Sequence, residues 1–147
     1  MKLRIAWIGK TKEPAIQSLT NEYLKRLSHY ADTEGLELKA ESALLKLCEG
    51  GRRPVGYNLV LLDSRGKQFS SEEFAQFLGN HQDRNPLPLM FAVGPASGFA
   101  PETRQKANLL LSLGKMTLAH ELARVVLLEQ IYRAFTILRG HPYHLGH

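Results

Sequence analysis

Residues 57–78 read YNLVLLDSRGKQFSSEEFAQFL, and this stretch decides the fold. Tyr57 to Asp63 is a nearly continuous apolar run without period-two alternation, as expected of a strand at the centre of a parallel sheet. SRGKQF (64–69) follows as a loop. Ser70 then stands three residues before Glu73, an S-x-x-E capping box that opens a helix through Phe74, Phe77 and Leu78. The same alternation continues outward in both directions. LRIAWI (3–8) reads as a buried strand ended by Gly9, and Pro14 opens a helix with Ile16, Leu19, Tyr23, Leu24 and Leu27 on one face. LELKAESA (36–43) reads as a second strand, 44–56 is poorly patterned, and GGRRP (50–54) reads as an exposed basic loop. LPLMFAV (87–93) is another buried strand, left through GPASGFAP (94–101). Pro101 begins a short helix, and NLLLSL (108–113) is a further strand, left through GKMTL (114–118). A long helix from His120 to Arg139 closes the chain, stopped by Gly140 and Pro142. The expectation is one α/β domain over 1–147, an open, mostly parallel sheet flanked by helices.

Composition bounds the function. At 147 residues, 44% hydrophobic and 22% charged, the chain has the make-up of a globular protein. Its net charge of +5 favours anionic partners such as nucleic acid, with ordinary solubility charge as the alternative. One cysteine, Cys48, excludes an intrachain disulfide and a thiolate zinc cluster. MKLRIAWIGK lacks the length and cleavage site of a signal peptide, and no segment is long enough to span a membrane, so a cytoplasmic protein is expected.

In sheets of this kind, ligands bind beyond the carboxyl ends of the strands. Three successive exits carry glycine: Leu62-Asp63-Ser64-Arg65-Gly66, Val93-Gly94-Pro95-Ala96-Ser97-Gly98 and Leu113-Gly114-Lys115-Met116-Thr117. Three on one edge point to a small-molecule pocket, against the alternative of ordinary turn glycines. None is a phosphate loop or a G-x-G-x-x-G turn, and there is no G-x-S-x-G elbow or H-E-x-x-H pair. In the closing helix, Val125 to Leu128 is apolar through a full turn, extended by Leu122, Ile131, Phe135, Ile137 and Leu138. That is more than one stripe, so the second flank is expected against a partner subunit, in a homodimer.

The chain resembles the small bacterial methyltransferases that modify pseudouridine in large-subunit ribosomal RNA, members of the SPOUT class. The resemblance shows in KLRIAWIGK, EYLKRL and LVLLDSRGKQFSSEEFA. It is strongest in FAVGPASGFAP, in SLGKMTLAHELARVVLLEQIYRAF and in the HPYH terminus. It implies a C-terminal trefoil knot, a homodimer, and S-adenosylmethionine as methyl donor. The cofactor would lie against Leu62 and Gly94, with Leu113, Gly114, Lys115, Met116, Thr117 and Leu118 wrapping the adenine. The implied reaction is methylation at N3 of a pseudouridine in helix 69 of 23S rRNA, on assembled ribosomes. The alternatives are a non-catalytic RNA-binding or ribosome-assembly factor of the same fold, and an unrelated doubly wound nucleotide-binding enzyme. Three departures stand out: Gly94-Pro95 where the family carries Gly-Gly, a shortened and more basic 44–56 stretch, and an added Leu145-Gly146-His147.

The terminus LRGHPYHLGH holds three of the six histidines. Pro142 and Gly146 break any helix there and no acidic residue follows Glu129, so no metal site is expected. Methyl transfer to N3 requires that its proton be removed, and His144 has the chemistry to take it, with polarising it through water or only orienting the target as the alternative. Tyr143 can stack on the base or hydrogen-bond its carbonyls. Arg133 completes the catalytic set, with a plain i,i+4 pair to Glu129 as its ordinary alternative. Arg124, nine residues earlier, points to the opposite side of the helix, so a dimer is needed to bring an arginine from each subunit to one site. His141 is a weaker candidate, His147 reads as solvated tail, and His120 reads as a helix cap. Lys10, Lys12, Arg52, Arg53 and Arg65 are RNA-contact candidates, each with a solvated charge as its alternative.

Overall fold

The computed structural model describes residues 1–49 and 56–145. Its sheet comprises β1 (Lys2–Ile8), β2 (Asp32–Leu38), β3 (Asn58–Gln68), β4 (Leu89–Val93) and β5 (Leu109–Ser112), in the order β2-β1-β4-β3-β5. Every pairing is parallel, as the unalternated apolar strands require. The helices are α1 (Pro14–Leu27), α2 (Glu41–Glu49), α3 (Ser71–Arg84), α4 (Pro101–Lys106) and α5 (His120–Arg139).

The central strand β4 shows why the sheet has no polar face. Leu89, Phe91 and Val93 pack into one core with Phe74, Leu78, Leu127 and Ile131 from α3 and α5, while Met90 and Ala92 pack into another with Leu44 of α2. All five residues of β4 are buried. Ser70 accepts from the Glu73 amide and Glu73 accepts from the Ser70 amide, so the capping box forms as expected. Gly140 takes the left-handed conformation, φ 70°, that ends α5.

Several expectations are corrected. The second strand is Asp32–Leu38, earlier than the LELKAESA reading, and α2 begins at Glu41 inside that segment. The strand starts at DTEG because β1 pairs with Asp32–Leu38 residue by residue, from Lys2↔Asp32 to Ile8↔Leu38. Gly35 is required there by packing, since a Cβ would lie 2.8 Å from both Trp7 and Leu24. The poorly patterned stretch is partly helical because Leu44 alone anchors α2 in the core. The closing helix is also flanked differently from the expectation. In this one chain α1 and α3 both pack against α5, with Tyr30 of the α1–β2 turn stacked on Phe135 at 5.4 Å, while Leu122 and Leu138 of the same helix stay exposed. The GGRRP loop, with Arg52 and Arg53, lies outside the described residues, as does His147.

The largest difference is at β3. SRGKQF is not simply a loop: Leu62 pairs with Leu111, the chain leaves the sheet, and Lys67 pairs with Leu111 again. Gly66 makes this possible, because a Cβ there would sit 2.5 Å from the Leu110 carbonyl carbon and oxygen. Backbone atoms cannot yield as a flexible side chain can. Gly66→Ala is therefore expected to destabilise the protein by about 1–3 kcal/mol in urea denaturation. Gly56→Ala, where a Cβ meets nothing within 4 Å, is the control and should be much milder.

Candidate active site

The exits of β4, β3 and β5 are neighbours in the sheet, and their loops enclose a cleft of about 430 Å³. That volume is in the range of small-molecule sites. β3 supplies Leu62, Asp63 and Ser64, and the loop after β4 supplies Val93 through Ala96 and Gly98. Leu111 through Gly114, Met116 through His120, and Ala123 complete the wall. Of the residues the family resemblance assigns to a cofactor, Leu62, Gly94, Leu113, Gly114, Met116, Thr117 and Leu118 all line this cleft. Lys115 is exposed and is not part of its lining.

Local chemistry holds each wall. Asp63 forms an ion pair with Arg104 of α4 at 2.7 Å and accepts from the Arg65 amide at 2.8 Å, which ties the β3 excursion to α4. Glu41 of α2 accepts from the Ala100 amide and the Thr103 hydroxyl, so a distant side chain caps α4. Ser112 donates to the Gly114 carbonyl at 2.9 Å, and Gly114 has φ 142°, a conformation that favours glycine. Gly94 is buried, and a Cβ there would press on the Phe99 ring at 3.1 Å. Ser112, His120 and Ala123 line the cleft but lie outside the three glycine exits; Ser112 directly precedes the Leu113 exit, and that adjacency was the available signal.

His120 is the first residue of α5 and does not cap it, since the cap position is Ala119 and carries no side-chain bond. The end of α5 is instead joined to the β1–α1 loop by Glu121, which accepts from the Lys12 and Glu13 amides at 3.0 and 3.2 Å. Those bonds, the Glu13 amide foremost, hold the Glu121 carboxyl below the usual carboxylate range. Arg124 is wholly buried. It donates to the Ile8 carbonyl at 3.1 Å, the Gly9 carbonyl at 3.3 Å and the Thr11 hydroxyl at 2.9 Å. Burial pulls it below the ordinary arginine range, opposed by the charges of Glu121 and Glu37. This arginine is structural and is not free to meet a phosphate, which corrects the idea of a shared arginine pair.

Arg133, Tyr143 and His144 come together at a second place. Glu129 binds Arg133 through Nη2 at 2.7 Å and Nε at 3.3 Å, and accepts from the Tyr143 hydroxyl at 2.9 Å. The expected i,i+4 pair thus exists as part of a larger cluster. Arg133 also donates to His144 Nδ1 at 3.0 Å and lies over the Tyr143 ring at 5.0 Å. Tyr143 packs edge-on against Tyr132 at 4.8 Å, and burial, with bonds to Tyr23 and Glu129, pushes its hydroxyl pKa upward. His141 is held separately by the Tyr30 hydroxyl. None of Arg133, Tyr143 and His144 lines the cleft of their own chain. Ala123, which does, lies ten residues before Arg133, about 15 Å along the helix. Among the basic candidates, Lys10, Lys12 and Arg65 are exposed.

Comparison with known proteins shows which family this fold and cleft belong to. The family model described as "Predicted SPOUT methyltransferase" matches residues 1–144. A protein of Koribacter versatilis named "Ribosomal RNA large subunit methyltransferase H" is 63% identical over 149 residues, covering 100% of both chains. One of the same name from Trichlorobacter lovleyi is 44% identical, covering 98% of this chain and 99% of its own. Among solved structures, a probable methylase family protein from Haemophilus influenzae superposes with TM-score 0.60 at 13% identity, covering 97% of this chain and 70% of that one. The SpoU methyltransferase AviRb from Streptomyces viridochromogenes, solved with AdoMet, gives 0.55 at 14% identity, covering 90% and 57%. These two likenesses bear on the fold.

The buried guanidinium generates a stability prediction. Arg124→Met removes the donor and leaves the Ile8 and Gly9 carbonyls facing an apolar side chain. Leaving such a group unpaired costs roughly 1–3 kcal/mol. The midpoint of urea denaturation should fall accordingly, and Lys10→Met, on the exposed side of the same loop, should leave it unchanged.

Proposed function

The chain belongs to the SPOUT methyltransferases, and from that premise we propose that it methylates N3 of a pseudouridine in helix 69 of 23S rRNA, using S-adenosylmethionine, as a homodimer on assembled ribosomes in the cytoplasm. The observation that carries this reading is the cleft formed by three adjacent strand exits, beside a separate cluster of Arg133, Tyr143 and His144. The cleft fits the methyl donor. Leu62, Leu111, Leu113 and Leu118 offer apolar surface to a purine, and the bare backbone at Gly94 and Gly114 permits close approach. The trefoil knot rests on the same family membership.

S-adenosylmethionine, when bound, supplies a methyl group made electrophilic by the sulfonium. The chain has to position, desolvate and deprotonate the acceptor. Leu62, Gly94 and the 113–118 segment hold the donor, and Tyr143 orients the base. His144 takes the N3 proton as the nitrogen attacks. Arg133, already a strong hydrogen-bond donor, meets the negative charge of the base or of a neighbouring phosphate. Because tail and cleft stand apart in one chain, a second subunit completes each site. The exposed Leu19 on α1 and Leu122 on α5, two elements that run side by side, favour an apolar contact between copies.

The direct test is mass analysis of 23S rRNA from cells with and without the protein. Loss of one methyl from the helix 69 fragment is expected, and an unchanged mass would leave the non-catalytic assembly factor standing. Two variants test the sharing of sites. Gly94→Val should press on Phe99 and shift the loop that lines the cleft, weakening S-adenosylmethionine binding in calorimetry while the protein stays folded. His144→Ala should keep that affinity and lose turnover. Refolded together, the two inactive chains should form about half heterodimers, each with one intact site, and recover roughly a quarter of wild-type activity. No recovery with heterodimers confirmed by mass spectrometry would put tail and cleft in the same subunit.

A further inference from the structure

The geometry points to Glu72 as a positioning residue for the methyl transfer: its carboxylate, in the first turn of α3, fixes the His144 ring so that Nδ1 is the atom that receives the proton. The inference rests on the reading above that His144 is the proton acceptor.

The hydrogen bonds determine the tautomer. Arg133 Nη1 lies 3.0 Å from His144 Nδ1, and a guanidinium has only donors, so Nδ1 must accept. The neutral ring then carries its hydrogen on Nε2, which donates to Glu72 Oε1 at 2.8 Å. The bond from His144 is the foremost reason that the Glu72 carboxyl is held below its usual range. Two adjacent glutamates thus divide their work. Glu73 is consumed by the capping box, while Glu72, turned about 100° around the helix, faces the tail. A carboxylate at a helix N-terminus is also favoured in its charged form. His144 keeps only 13% of its side chain exposed, whereas Glu72 keeps 58%. The ring is therefore gripped between α5 and α3.

The groups facing the ring are Arg133 on α5, with Glu129 behind it, Glu72 on α3, and Tyr143 in the tail, itself in contact with Tyr23 of α1. In this arrangement Arg133 occupies the lone pair that the reaction needs. When the base enters, its N3–H replaces the Arg133 N–H as donor to Nδ1. The N3–H bond breaks and the proton moves to Nδ1, while the N3 electron pair would bond to the methyl carbon as the carbon–sulfur bond breaks and its electrons leave with the neutral thioether sulfur. The positive charge left on the imidazole then lies against the Glu72 carboxylate.

Nuclear magnetic resonance and turnover, each on the full-length protein, test the assignment. The His144 ring signals are identified by their loss in His144→Ala. In Glu72→Ala the ring loses its Nε2 acceptor, so its nitrogen signals should lose the single Nε2–H pattern, which Glu72→Gln, keeping an oxygen acceptor, should retain. The tail should remain docked through Arg133 and Tyr143. With ribosomes as substrate, kcat should fall at least tenfold in both variants, while KM for ribosomes and affinity for S-adenosylmethionine stay within twofold of wild type, a split that a merely structural contact would not produce. An unchanged Nε2–H pattern in Glu72→Ala or an unchanged kcat in Glu72→Gln would overturn the role of Glu72. Wild-type turnover by His144→Ala would overturn the reading of His144 itself. An inactive His144→Ala beside an unaffected Glu72→Gln would remove Glu72 alone.

Discussion

Leu111 is paired twice by β3, once by Leu62 and again by Lys67, and much of the site follows from that constraint. The residues between those partners have to leave the sheet, and their excursion carries Asp63 and Ser64 into the wall of the cleft. The return demands backbone against backbone at Leu110, which only Gly66 permits. Arg104 then holds the excursion through Asp63, and Glu41 holds α4, which carries Arg104, through Ala100 and Thr103. One wall of the cleft thus depends on a chain of contacts from α2 through α4 to β3.

The long helix α5 joins the other two parts of the molecule. At its first turns, Glu121 and Arg124 bind the loop after β1, and the buried Arg124 stabilises carbonyls that would otherwise face apolar surroundings. Further along, Glu129 gathers Arg133 and Tyr143, and Arg133 in turn holds His144. A rigid helix separates these two jobs by about 15 Å between Ala123 and Arg133. That separation is the physical reason for assigning the tail of one subunit to the cleft of another. It also explains how the tail can be well organised while remaining away from its own cleft.

The tail cluster is charged and only partly buried, which suits the role in nucleic-acid recognition proposed for it. The Glu129–Arg133 pair is bidentate, so Arg133 arrives pre-oriented, with less side-chain freedom to lose when substrate binds. Glu72 performs the same service for His144 from another helix.

Much was legible in the sequence because its causes are local. The capping box at Ser70 and Glu73, the stop at Gly140 and the unalternated strands each depend on a few neighbouring residues. The three glycine exits could be placed on one edge because such sheets bind ligands beyond the carboxyl ends of their strands, whereas the seven cofactor residues found around the cleft were implied by the family resemblance. Contacts between distant segments were not legible. DTEG became a strand only because β1 pairs with it, and SRGKQF rejoined the sheet only because β5 offered Leu111. Arg124 read as one of two arginines that a dimer could bring to one site until the fold closed the β1–α1 loop around it. The partner of His144 lies 72 residues away, on a helix whose sequence announces its cap but not its neighbour. Short-range propensity and patterning therefore determined the elements and the edge where a ligand binds. Tertiary packing decided which charges were buried, paired or left available, since those depend on what the fold brings opposite each side chain.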